Sequence, residues 1–87
     1  MPTVWIPSLM RDLTGGQGEI VVEGRTLRQV VDALERVYPG VKARLLRGAA
    51  LDPELRALVD GRSAPLGLDE RVGEESEVQF VPAIAGG

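Results

Sequence analysis

One stretch constrains the fold more than any other: TLRQVVDALERVYPG, residues 26–40. Its apolar residues fall at Leu27, Val30, Val31, Leu34 and Val37, a spacing of i, i+3, i+4, i+7, i+10 that places them on one face of a helix. Arg28, Gln29, Asp32, Glu35 and Arg36 take the other face. Thr26 and Gln29 form a capping-box pattern, in which each side chain satisfies a backbone N–H of the first turn. Pro39-Gly40 ends the helix, because proline lacks the N–H and glycine tolerates the left-handed exit. Asp32 and Arg36 are spaced to pair for a few tenths of a kcal/mol. Burial of five apolar side chains contributes roughly 1.5–3 kcal/mol each as an upper estimate, so the apolar face decides the energetics. Such a helix must lie on something, and an 87-residue chain has room for one small domain to supply it.

The rest of the chain supplies strands. Thr3–Ile6, TVWI, is β-branched, aromatic and alternating, and Pro7 closes it. LTGGQGE is a glycine-rich turn, and Glu19–Gly24 is a second short strand, which together suggest an N-terminal hairpin. After the helix, Val41–Leu46 adds a short helical turn and RGAALDP reads as a loop. ELRALVDGRSAPL reads as strand, Asp60-Gly61 turn and strand, with Pro65 weakening the second arm. GLDERVGEE is a polar connection. Ser76–Pro82 is the last strand, with Val78, Phe80 and Pro82 on one side and Gln79 and Val81 on the other. The economical arrangement is α+β: a mixed sheet of about five strands with one main helix packed across it.

Composition narrows the function. The formal net charge is −3 and the basic residues are scattered, so no nucleic-acid footprint is expected. Hydrophobic residues make up 44% and charged residues 26%, the balance of a globular chain rather than a disordered one. No apolar run approaches the roughly 18 residues needed to span a membrane, and the start shows no signal-peptide pattern. The absence of cysteine favours a reducing, cytoplasmic setting. Without cysteine or histidine the chain lacks the usual nucleophile, transition-metal ligand and neutral-pH base. A self-sufficient enzyme is therefore not expected, and neither is a metal site or a bound cofactor.

Four stretches could still carry chemistry. TGGQG, residues 14–18, suggests a phosphate loop, but it leads into a strand pattern instead of a helix N-terminus, so a turn is the better reading. The acids Asp69, Glu70, Glu74, Glu75 and Glu77 lack the spacing of an EF-hand and read as a solvated loop or as a face for a basic partner. Trp5 is either a binding-face aromatic or a core residue. The fourth stretch is the ending, FVPAIAGG. Pro82 removes a ladder N–H where pairing is expected to stop, which divides the chain into a body, 1–81, and a flexible tail, 82–87. Ala83, Ile84, Ala85, Gly86 and Gly87 would reach roughly 15–18 Å beyond that body. A thread this slim fits a narrow channel and would present its terminal carboxylate to another protein's active site.

A domain of this size and order ending in Gly-Gly resembles the β-grasp, ubiquitin-like sulfur carriers. That family includes the molybdopterin synthase small subunit and the thiamine-pathway carrier. SLMRDLTG looks like the family's segment after the first strand, and TLRQVVDALERVYPGV sits where its main helix sits. VDGRSAPLGLDERVGEESEVQFVPAIAGG resembles its hairpin, acidic loop, last strand and tail. IPSLMRDLTGGQ and VPAIAGG look most like the branch that serves cysteine biosynthesis in actinobacteria.

The resemblance implies that a ubiquitin-activating-type enzyme uses ATP to adenylate the Gly87 carboxylate. A sulfur donor then displaces AMP to leave a thiocarboxylate. It implies an acceptor that is either a pyridoxal-phosphate cysteine synthase, with a metallopeptidase releasing the product, or the molybdopterin synthase large subunit. A protein-modifier role, with Gly87 joined to lysines of targets, is the alternative from another class, and an interaction domain with an idle tail is the plainest one. The resemblance also implies that Arg11 meets acidic groups of the activating enzyme, where a solvated surface charge is the plain alternative. It implies that Val81 faces partners, while Phe80 reads as core.

Overall fold

A computed structural model describes residues 1–83. The chain runs through β1 (Thr3–Trp5), a 3-10 helix (Ser8–Thr14), β2 (Glu19–Val21), α1 (Leu27–Val37) and α2 (Val41–Leu45). It continues through β3 (Leu46–Arg47), β4 (Ala50–Leu51), β5 (Leu55–Val59), β6 (Arg62–Ser63), a second 3-10 helix (Gly67–Asp69) and β7 (Glu77–Pro82). Five strands form one mixed sheet in the order β2-β1-β7-β5-β6, and β3 and β4 pair separately. β7 is the central strand, parallel to β1 and antiparallel to β5. This is the expected β-grasp: a five-stranded mixed sheet with a helix across one face.

The core follows from the two periodicities. Val4 of β1, Ala57 of β5 and Val78 and Phe80 of β7 point toward the helices and are buried. Leu27, Val30, Val31 and Leu34 of α1 meet them, all at most 1% exposed. Val37 departs from the expected stripe and is 60% exposed, while Ala33, which the stripe omits, is buried. Periodicity marks the helix face that lies on the sheet. It does not mark the flank that a second helix covers, and α2 packs against α1 with Val41 and Leu45 buried.

The N-cap forms as expected in one half and shifts in the other. The Gln29 N–H donates to Thr26 Oγ1 at 3.2 Å, but Gln29 Oε1 accepts from the Arg25 N–H at 2.8 Å, one residue before the cap. At the other end Glu35 turns back to cap α2, its Oε1 accepting from the Gly40 and Lys42 N–H groups at 3.1 and 2.9 Å. Asp32 pairs with Lys42 of α2 at 2.6 Å, not with Arg36. Lys42, like Asp32, is nearly half exposed, so this pair contributes little to stability.

Three loops hold more structure than their composition suggests. Ser8–Thr14 is a 3-10 helix that buries Met10 and Thr14. RGAALDP carries most of the β3–β4 hairpin, which starts one residue earlier at Leu46. The polar connection straps the start of α1: Leu27 N–H donates to Glu70 O, Val72 N–H donates to Arg25 O, and Leu68 and Val72 are buried. Among the described residues no helix is long and apolar enough to cross a membrane.

Candidate functional site

The last strand was expected to end at Pro82, and β7 does end there, with one further hydrogen bond beyond it. Leu55 pairs with Pro82, and the Ala83 N–H donates to Glu54 O at 2.9 Å. Antiparallel pairs alternate between those that exchange N–H···O bonds and those that do not. Ala83 opposite Glu54 is a bonded position, so Pro82 occupies an unbonded one, where its missing N–H costs the ladder nothing. Pro82 therefore closes β7 within the sheet, and Ala83 adds one hydrogen bond beyond it. Pairing ends where β5 begins: Pro53 precedes Glu54, and Asp52 turns the chain by accepting from the Glu54 N–H at 2.8 Å. Ile84, Ala85, Gly86 and Gly87 lie outside the described residues.

A groove of about 760 Å³ opens at this point, bordered by Trp5, Leu9, Arg11, Arg44, Val81 and Ala83 among others. The structure thus gathers Arg11, Val81, Pro82 and Ala83, four of the residues singled out in the sequence, around the strand end. Val81 lies on the sheet face away from α1 and is partly exposed. Trp5 lies on the same face, 37% exposed, and its Nε1–H donates to Glu77 Oε1 at 2.8 Å. The tryptophan is therefore a surface residue of the groove, whereas Phe80 is core, 3% exposed.

The other wall comes from the first 3-10 helix. Leu9 at its start is 85% exposed, the most exposed large apolar side chain of the described chain. Arg11 Nε–H donates to Ile6 O at 3.3 Å, and Arg44 Nη2–H donates to Leu9 O at 3.2 Å. Two arginines from different elements are thus tied to backbone carbonyls at the groove. Asp52 and Glu54 also border it, and Asp52 pairs with Arg47 at 3.7 Å. Arg44 and Leu9 carried no functional signal in the sequence, because the 3-10 geometry that exposes Leu9 beside Arg11 has no apolar periodicity to announce it.

The remaining candidates resolve structurally. Gly15 and Gly16 take left-handed conformations, φ 63° and 87°, in a turn between the 3-10 helix and β2. The TGGQG segment is thus a turn that leads into a strand. The acidic run is dispersed: Asp69 pairs with Arg28 at 3.0 Å, Glu70 accepts from the Leu66 N–H, and Glu77 holds Trp5. Among the described residues no three acidic side chains converge as metal ligands.

The ThiS family model matches residues 4–87. The sulfur carrier protein CysO of Mycobacterium tuberculosis is 32% identical over 98% of this chain and 97% of its own length. The fold superposes on the crystal structure of the Amycolatopsis orientalis BexX/CysO complex with a TM-score of 0.92 and 30% identity, covering 100% of both chains. The small archaeal modifier protein 1 of Methanosarcina acetivorans shares the fold, with a TM-score of 0.81 at 20% identity, covering 99% of this chain and 95% of that one. The family match and the near full-length similarity together span the described fold, and the chain belongs to the ThiS family.

Proposed function

We propose that this chain is a sulfur carrier whose Gly87 carboxylate is the point of attachment. The observation that carries the reading is the near full-length similarity to a sulfur carrier protein, reaching through residue 87 in the family match. The geometry agrees with it. The central strand of the sheet leads directly to Ala83, and the four residues that follow span at most about 14 Å when extended.

A carboxylate is a poor electrophile because oxide is a poor leaving group. An ATP-dependent, ubiquitin-activating-type enzyme first joins the Gly87 carboxylate to AMP and releases pyrophosphate. Sulfide from a donor then attacks the acyl carbon, AMP departs, and a thiocarboxylate remains. The free α-carboxyl ionises near pH 3.3–3.7, so it is a carboxylate at neutral pH and ready for adenylation. Catalysis belongs to the partners in the cytosol, and this chain is their covalent co-substrate. Small side chains at Ala85, Gly86 and Gly87 suit a narrow channel, and the glycines leave the reacting end free in φ and ψ.

The acceptor we infer is the aminoacrylate that a pyridoxal-phosphate cysteine synthase forms from an activated serine, with a metallopeptidase freeing the cysteine from Gly87. Incubation of the thiocarboxylate form with that enzyme and activated serine is expected to leave the chain one cysteine residue heavier than its unmodified carboxylate form. A thiocarboxylate that is consumed only by a molybdopterin synthase large subunit would overturn the cysteine assignment and leave the carrier assignment standing.

A further inference from the structure

We infer that Gly18 is a positioning residue: its bare α-carbon forms the seat on which the Arg11 guanidinium rests, and this seat sets where Arg11 meets the activating enzyme. The inference rests on the sulfur-carrier reading and adds to it a residue that makes no partner contact itself. Beyond Trp5 and Glu19 the β1–β2 ladder continues for one more bond, from Ile6 N–H to Gly18 O at 2.9 Å. Arg11 lies across this last pair, its Nε–H donating to Ile6 O. A Cβ built on Gly18 would stand 2.8 Å from Arg11 Cζ and 3.0 Å from Nε and Nη2. Real carbon contacts do not come that close, so any other residue at 18 moves the guanidinium off its seat.

The position of that guanidinium matters because of what surrounds it. Arg11 borders the groove at the end of β7 and makes no ion pair among the described residues. With Nε committed to Ile6 O, its Nη groups remain available for a carboxylate of an enzyme that docks at the groove Arg11 shares with Ala83. Fixing a guanidinium in advance reduces the side-chain entropy lost when such a pair forms. The backbone at Gly18 is outside the left-handed region that glycines 15 and 16 occupy. An alanine there is therefore compatible with the ladder, and the flexible end of Arg11 is the part that gives way.

The test compares Gly18→Ala, Arg11→Ala and the double variant in thiocarboxylate formation with the activating enzyme, ATP and sulfide, followed by intact mass. Gly18→Ala is expected to raise the KM for the carrier about three- to tenfold with kcat within about twofold, the behaviour of a rim charge. On the Arg11→Ala background the same change is expected to add less than about 1.5-fold, because it acts through Arg11. The Arg11 Nε–H resonance, assigned by its loss in Arg11→Ala, is expected to shift in Gly18→Ala while the strand amides do not. An unchanged KM, or an equal rise with and without Arg11, would overturn the inference and leave the carrier reading intact. A wild-type chain that gains no sulfur would overturn the carrier reading first, and this one with it.

Discussion

Asp60 is the only non-glycine residue of the described chain with positive φ, 52°, in the two-residue turn it forms with Gly61. Asp-Gly between two strands signals that turn in the sequence, because both positions need φ above zero. Its second role is not legible there. The Asp60 carboxylate accepts from the Glu77 N–H at 2.9 Å and from Ser76 Oγ at 2.8 Å, tying the hairpin to the start of the central strand across 17 residues. The Glu77 N–H, then the Ser76 hydroxyl, hold its carboxyl below the ordinary range. A depressed folded pKa contributes stability that is complete above the unfolded value, near pH 4, and is lost as pH falls through the folded one. Asp60→Asn preserves the left-handed turn and removes the charge. It is expected to lower stability at pH 7, and the gap to wild type is expected to close as pH falls below about 4 in denaturant titrations. A gap that stays constant over that range would show that the carboxylate charge contributes nothing. Arg11 belongs to the same scale: the sequence marks it as a residue, and only the fold shows the Gly18 surface that holds it.

Among the elements, α1 is the one most fully legible, since its apolar period, N-cap and Pro-Gly stop all agree. The two-residue strands β3 and β4 are not, because a pattern of period two needs more than two residues to be seen. The 3-10 helix is equally silent, and SLMRDLT exposes Leu9 while burying Met10 without any helical stripe. Pro82 shows why a strand can end on proline: it removes a donor at a position where the ladder asks for none. Gly24 couples two elements, β2 and α1. It adopts φ 151°, and a Cβ there would lie 2.8 Å from both Val30 N and Val30 Cγ2, within the backbone of a buried helix. Gly24→Ala is expected to destabilise the domain by about 2–4 kcal/mol in urea unfolding, from backbone strain and overpacking together. Thr26→Ala, which removes only the cap, is expected to cost about 1 kcal/mol. If the two variants were equally mild, α1 would not be held at its start by close packing on Gly24.

At the scale of the molecule, order along the chain and order in the sheet are deliberately different. The last strand is the middle one, so the residues after Ala83 leave from the best-anchored strand of the fold. That placement separates stability from function. Deleting Gly86 and Gly87 is expected to leave the thermal midpoint within about 2 °C of wild type, since every strand of the described sheet ends at or before Pro82, and to abolish every activity of the chain. The chain has a single lysine, Lys42, already paired with Asp32. If the terminus were activated as a protein modifier, self-attachment through a lysine could occur only there, and peptide mapping would find it at one site. On the proposed function, Gly87 carries sulfur as a thiocarboxylate. Its most direct test is the intact mass of the chain after incubation with ATP, sulfide and its ubiquitin-activating-type enzyme. The expected result is a gain of about 16 Da, one oxygen replaced by sulfur, confined to the C-terminal peptide. An unchanged mass while the enzyme consumes ATP, or a gain located anywhere but the C-terminal peptide, would contradict it.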